Sequence, residues 1–122
     1  NFGPPESVPR RFADHITYRH TPMTTLVRTT VGETTEIARM TAERLNLAEG
    51  PVRVFWPKLG VSDYDQLGKV FYDPAANAAW RAAIGKNLKD DITVVDTHYH
   101  INDPKFAALC ADWMIEQIKE VA

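Results

Sequence analysis

Hydrophobic positions change their period several times along this chain, and each change marks an element. "ITYRH" at 16–20 alternates and predicts an edge strand. "MTTLVRTT" at 23–30 sets Leu26 and Val27 among β-favouring threonines and predicts a buried strand near 24–28. Thr30 followed by Glu33 is a capping-box spacing, so a helix starts there. Ile37, Ala38, Met40, Thr41 and Leu45 define its apolar face, and Gly50 marks its exit. "PVRVFWP" at 51–57 is a strand between two prolines. A long glycine-containing loop, 58–72, follows, with Asp63 and Asp65 expected as solvated carboxylates. Asp73 as N-cap and Pro74 at the first helical position open a second helix, with Ala76, Trp80, Ala83, Ile84 and Leu88 facing inward. "ITVVDTH" at 92–98 is a near-continuous apolar strand, as in a sheet covered on both faces. Asp103 and Pro104 repeat the helix entry. Phe106, Leu109, Cys110, Trp113, Met114 and Val121 then give a last amphipathic helix.

Alternation of strands and helices predicts an α/β fold, a three-layer α/β/α arrangement with a short, mostly parallel sheet: a Rossmann-like half. Strands near 24–28, 52–56 and 92–96 are expected to be mutually parallel. Residues 1–15 read as a proline-containing extended arm or inter-domain segment, and 16–122 as a single α/β domain. In such sheets ligands sit beyond the carboxyl ends of the strands. Three segments meet there: 28–30, 57–63 and 96–103.

Composition narrows the partners. Hydrophobic residues make up 44% and charged residues 25%, an ordinary globular balance. The net charge of −2 offers no basic stripe, so no nucleic-acid partner is expected. No apolar run approaches the roughly 18 residues of a membrane span, so no membrane partner is expected. The single cysteine, Cys110, lies in an apolar helical pattern, which suits core packing and a reducing, cytoplasmic setting.

Candidate chemistry clusters at the strand ends. Asp96, His98 and His100 resemble the opening of a metal site, but nothing completes the ligand set, and no metal is expected. His98 and His100 share a strand face and suit acid–base work or phosphate binding, with bonding to loop carbonyls as the plainer role. Arg28, Thr29 and Thr30 stand where a strand meets a helix, and combine a guanidinium, two hydroxyls and free N–H groups into an anion site. Their plainer role is a capped helix with Arg28 in an ion pair. Gly60, Val61 and Ser62 would let backbone approach a ligand closely. Asn102 and Asp103 join the candidate set and also suit capping.

"LVRTT", "GPVRVFWPKLGVS", "FYDPAANAAW" and "HINDPKFAALCADWM", in this order, resemble the C-terminal part of the Tm-one-like ATP-binding family. "NFGPPESVPRRF" resembles the segment entering that region, so the likeness covers essentially the whole chain. Val31 and Gly32 replace the family's usual proline and acidic residues, and Tyr72 replaces a frequent histidine. The resemblance implies a two-domain α/β protein with a nucleotide-binding fold and a further N-terminal domain. ATP is implied as a cofactor by resemblance only; neither GxxxxGK[ST] nor GxGxxG occurs. The favoured reading is a domain binding a nucleotide or small anionic ligand. The alternative is a domain of an enzyme on a small carbonyl or carboxylate metabolite, with His98 and His100 as acid–base groups. A homo-oligomer is expected, with the arm or "ITYRH" in the contact.

Overall fold

Only Pro22 and Met23 separate the first two strands, and so short a link turns the chain back antiparallel. In the computed structural model, which describes residues 1–122, β1 (Thr17–Thr21) and β2 (Thr24–Val27) form a hairpin with Tyr18 opposite Leu26. The segment near 24–28 therefore does not join a parallel sheet, contrary to expectation. The parallel sheet has two strands, β3 (Arg53–Pro57) and β4 (Thr93–Thr97), linked by α2 (Pro74–Asn87). Val54 lies beside Val94 and Trp56 beside Asp96. With α1 (Val31–Leu45) and α3 (Pro104–Val121), the architecture is α/β with three α-helices and two small sheets.

The first helix starts as its capping box demands. The Thr30 hydroxyl accepts from the Glu33 N–H at 3.3 Å, and the Glu33 carboxylate accepts from the Thr30 N–H at 2.9 Å. α1 then lies against α2, where Ala38 and Ala42 meet Ala83 and Ile84, ringed by Leu45, Trp80, Leu88 and Val94. Small side chains let the two helices approach closely. The buried face is thus Thr34, Ala38 and Ala42, while Ile37 and Met40 stay exposed, a rotation from the expected face.

Alternation along β3 sends neighbouring aromatics to opposite sides. Trp56 stacks on Trp80 of α2, ring centroids 4.8 Å apart and 10° from parallel. Phe55 meets Trp113 of α3 edge-on at 6.2 Å. The 1–15 arm forms two short 3-10 turns, Pro5–Ser7 and Arg10–Phe12. Phe2 exchanges backbone hydrogen bonds with Thr25 and packs its ring on Phe12, 5.2 Å between centroids. His15 Nε2 reaches the Glu33 carboxylate at 2.9 Å. The arm, expected to lie across another surface, folds back on its own hairpin and first helix.

Ile84 is wholly buried, and Ile84→Ala should cost about 2–5 kcal/mol of stability, read as a lower urea midpoint. Leu47 is 80% exposed, and Leu47→Ala should change stability by no more than about 0.5 kcal/mol. Equal effects would mean that the alanine-lined contact is not the core.

Candidate functional site

The chains leaving β3 and β4 continue side by side beyond the sheet. Lys58 donates its N–H to Thr97 O at 3.2 Å, Leu59 to Tyr99 O at 3.1 Å, and Ile101 to Gly60 O at 3.0 Å. Side chains lock this pair of loops. His100 Nε2–H donates to Ser62 O at 3.0 Å, and His100 Nδ1 accepts from the Asn102 N–H at 3.2 Å, which puts the ring proton on Nε2. The Asn102 amide donates to the Asp63 carboxylate. Gly60, Val61, Ser62, His100 and Asn102 thus come together, and Asp103 caps α3 next to them through the Lys105 N–H. His98 stands exposed just past β4. Gly60 has φ +134°, and a Cβ there would lie 1.9 Å from Asp65 O. Its close approach is to the chain's own backbone.

Asp65 corrects the expectation of a solvated carboxylate: its residue is 1% exposed. It accepts from Val61 N–H at 3.0 Å, Asp73 N–H at 3.4 Å and Asn77 Nδ2–H at 2.7 Å. Arg28 Nη2 lies 3.8 Å away and donates to Asn77 Oδ1 at 2.9 Å, while its Nε donates to Phe71 O at 3.1 Å. Thr29 Oγ1 accepts from the Thr34 hydroxyl at 3.0 Å, and Thr30 is the cap of α1. Arg28, Thr29 and Thr30 therefore sit across Asp65 from the loop pair. Arg28 and Thr29 border a separate cavity with Phe2, Phe12 and His15.

A cleft of about 840 Å³ opens at the carboxyl ends of β3 and β4, lined among others by Trp56, Lys58, Leu59, Tyr72, Arg81 and His100. Arg81 on α2 grips Asp96 with two parallel bonds, Nε to Oδ1 at 2.8 Å and Nη2 to Oδ2 at 3.0 Å. Those bonds hold the Asp96 carboxyl below its usual range, and the charges of Arg81 and Lys58 add to the effect. Asp96 in turn raises Arg81. Lys58 is exposed and has no ion-pair partner. With Asp96 committed to Arg81 and His100 to Ser62 and Asn102, no group of three or more His, Cys, Asp or Glu side chains is placed to hold a metal ion.

Sequence reasoning passed over Lys58 and Arg81. Lys58 was signalled by its place directly after a strand. Arg81 stands seven residues past Pro74, two turns into the helix, and its pairing with Asp96 depends on the register that sets Trp56 beside Asp96.

The parallel β–α–β unit with paired loops at its carboxyl edge is a ligand-site architecture of α/β proteins. The chain belongs to the UPF0261 family: residues 1–118 match the model described as "Uncharacterised protein family (UPF0261) C-terminal domain". It is 44% identical over 109 residues to a UPF0261 protein of Rhizobium meliloti, covering 88% of this chain and 27% of the relative. The ToMV resistance protein Tm-1(GCR237) of Solanum lycopersicum is 38% identical over 118 residues, 95% of this chain and 16% of the relative. A UPF0261 protein of Clostridium tetani is 36% identical over 121 residues, 98% and 30% respectively. The motif-based resemblance to the tomato protein's family therefore holds, and the chain spans less than a third of each of these relatives.

Arg28→Ala leaves Asp65 buried without its cation and should cost about 3–5 kcal/mol in chemical unfolding. A loss below 1 kcal/mol would deny Asp65 its central place. Asp96 titrates below its unfolded value, so the pair stabilises the fold above a pH of about 4 and is lost as pH falls through the lower folded pKa. A carboxyl-carbon NMR titration should give Asp96 a midpoint below that of a free aspartate, moving up in Arg81→Ala. An unmoved midpoint would contradict the pairing.

Proposed function

We propose that this domain binds a small anionic ligand, a nucleotide or another phosphate- or carboxylate-bearing metabolite, in the cleft beyond β3 and β4. It would do so as the C-terminal part of a longer protein of Rossmann-like organisation. The observation that carries the reading is the charge arrangement in the cleft. Lys58 is unpaired, and Arg81 is held by Asp96 through Nε and Nη2 while its Nη1 lies against Gly85, so Lys58 is the cation free to meet a ligand. Asp96 balances one of the two cations, so one positive charge remains for a ligand. Leu59 and Tyr72 offer apolar and aromatic surface to its uncharged part. ATP enters on the resemblance of the spaced motifs alone, and is the first nucleotide to test.

Calorimetric titration of the full-length protein with ATP, ADP and inorganic phosphate tests the reading. Binding of at least one is expected, weakened about 10- to 100-fold in Lys58→Ala, as for loss of a charge-assisted contact. Heat from none of them, or equal affinity in wild type and Lys58→Ala, would end the proposal.

A further inference from the structure

α3 carries more apolar surface than this chain covers. Phe106, Cys110, Trp113 and Gln117, spaced i, i+4, i+7 and i+11, turn inward, yet only Phe106 is buried. One step round the helix lie Met114, Ile118 and Val121, exposed by 50%, 61% and 84%, and Ile115 widens the stripe. Asp112, Glu116 and Lys119 occupy the remaining side. From Trp113 to Ile115 the apolar arc spans about 200° at 3.6 residues per turn, roughly twice what a surface helix needs to face one core.

The placement of the free arc is specific. Although α3 follows β4 in the chain, its Trp113 packs on Phe55 and under the Arg53 guanidinium, 5.3 Å from the ring, both on β3. Ile118 and Val121 lie beside Pro51, at the entrance to β3. α3 thus packs over β3, the strand whose far edge β4 does not occupy, and its free arc reaches the start of that strand at Pro51. That edge is unpaired, in a parallel sheet of only two strands. Parallel sheets are ordinarily covered and extended, and open edges are covered in native proteins. The surface is also too large: 8155 Å² for a 13.8 kDa chain, where a folded monomer of that mass exposes about 6,600 Å². The excess, roughly 1,500 Å², is nearly twice one partner's share of a standard interface.

We propose that the open edge of β3 and the free arc of α3 together seat one further parallel strand of the same polypeptide, from the part that precedes these residues in the full-length protein. Two findings select that occupant over a second copy. The chain matches a C-terminal domain, and it spans only 27% and 30% of two bacterial relatives, so most of such a polypeptide lies outside it. A second copy related by a two-fold axis in the sheet edge would bring β3 against β3 antiparallel, unlike the parallel pairing already present. The inference does not depend on ligand binding in the cleft.

Hydrogen exchange on the full-length protein, at a concentration where sedimentation shows a monomer, tests this. The β3 amides that point away from β4 should exchange about a hundredfold or more slower than unstructured amides. Ile118→Glu should speed them about tenfold or more, and Leu47→Glu should leave them unchanged. Exchange of those amides at the unstructured rate in wild type overturns the proposal. So does protection that appears only as dimers form, which would make the occupant a second copy. Should Ile118→Glu not fold, the wild-type pattern decides alone.

Discussion

One buried carboxylate holds the parts of this domain in relation to each other. Asp65 collects N–H groups from the loop at Val61, from the entry of α2 at Asp73 and from Asn77 within α2, and faces the cation of Arg28 at the end of β2. An ionised carboxylate without such partners would not remain in the interior. With them, it anchors a stretch of chain, 58–72, that has neither helix nor strand to order it. The hairpin, the loop and the second helix therefore share one fixed point.

That fixed point sets the cleft. Asp73 is held by Asp65 through its N–H while its own carboxylate caps α2 at Ala76, 3.0 Å away. The helix start is thereby pinned, and Arg81 projects from it toward Asp96 in the neighbouring sheet. The loop after β3 is pinned at Val61, which carries Lys58 and Leu59 along the same rim. The polar groups of the cleft stand on elements whose positions are fixed elsewhere, the usual condition for a site with defined geometry.

Local signals were legible in the sequence, and long-range ones were not. Thr30 with Glu33, Asp73 with Pro74, and Asp103 with Pro104 each specify a helix start within four residues, and all three helices begin there. The parallel pairing of 53–57 with 93–97 follows from the intervening helix. The hairpin was signalled by the short Pro22–Met23 link, yet the apolar Leu26 and Val27 suggested a place in the main sheet. Asp65 looked solvated because "SDYDQLG" is polar, and its partners Arg28 and Asn77 stand 37 and 12 residues away. The bond from His100 to Ser62 O spans 38 residues, so imidazole chemistry was visible and its engagement was not. Ile37 and Met40 followed helical periodicity, but smaller alanines allowed the tighter helix contact.

The three tryptophans divide between the two faces of β3. Trp56 and Trp80 lie stacked on the α2 side, with Trp56 in the wall of the cleft, while Trp113, apart from the other indoles, sits under Arg53 and edge-on to Phe55 on the α3 side. Parallel indoles 4.8 Å apart couple their electronic transitions, whereas an isolated indole beneath a guanidinium reports chiefly on its local polarity and quenching. The domain therefore carries two intrinsic optical probes of different character. The stacked pair borders the cleft and the third indole the opposite face, so each side of β3 carries its own reporter.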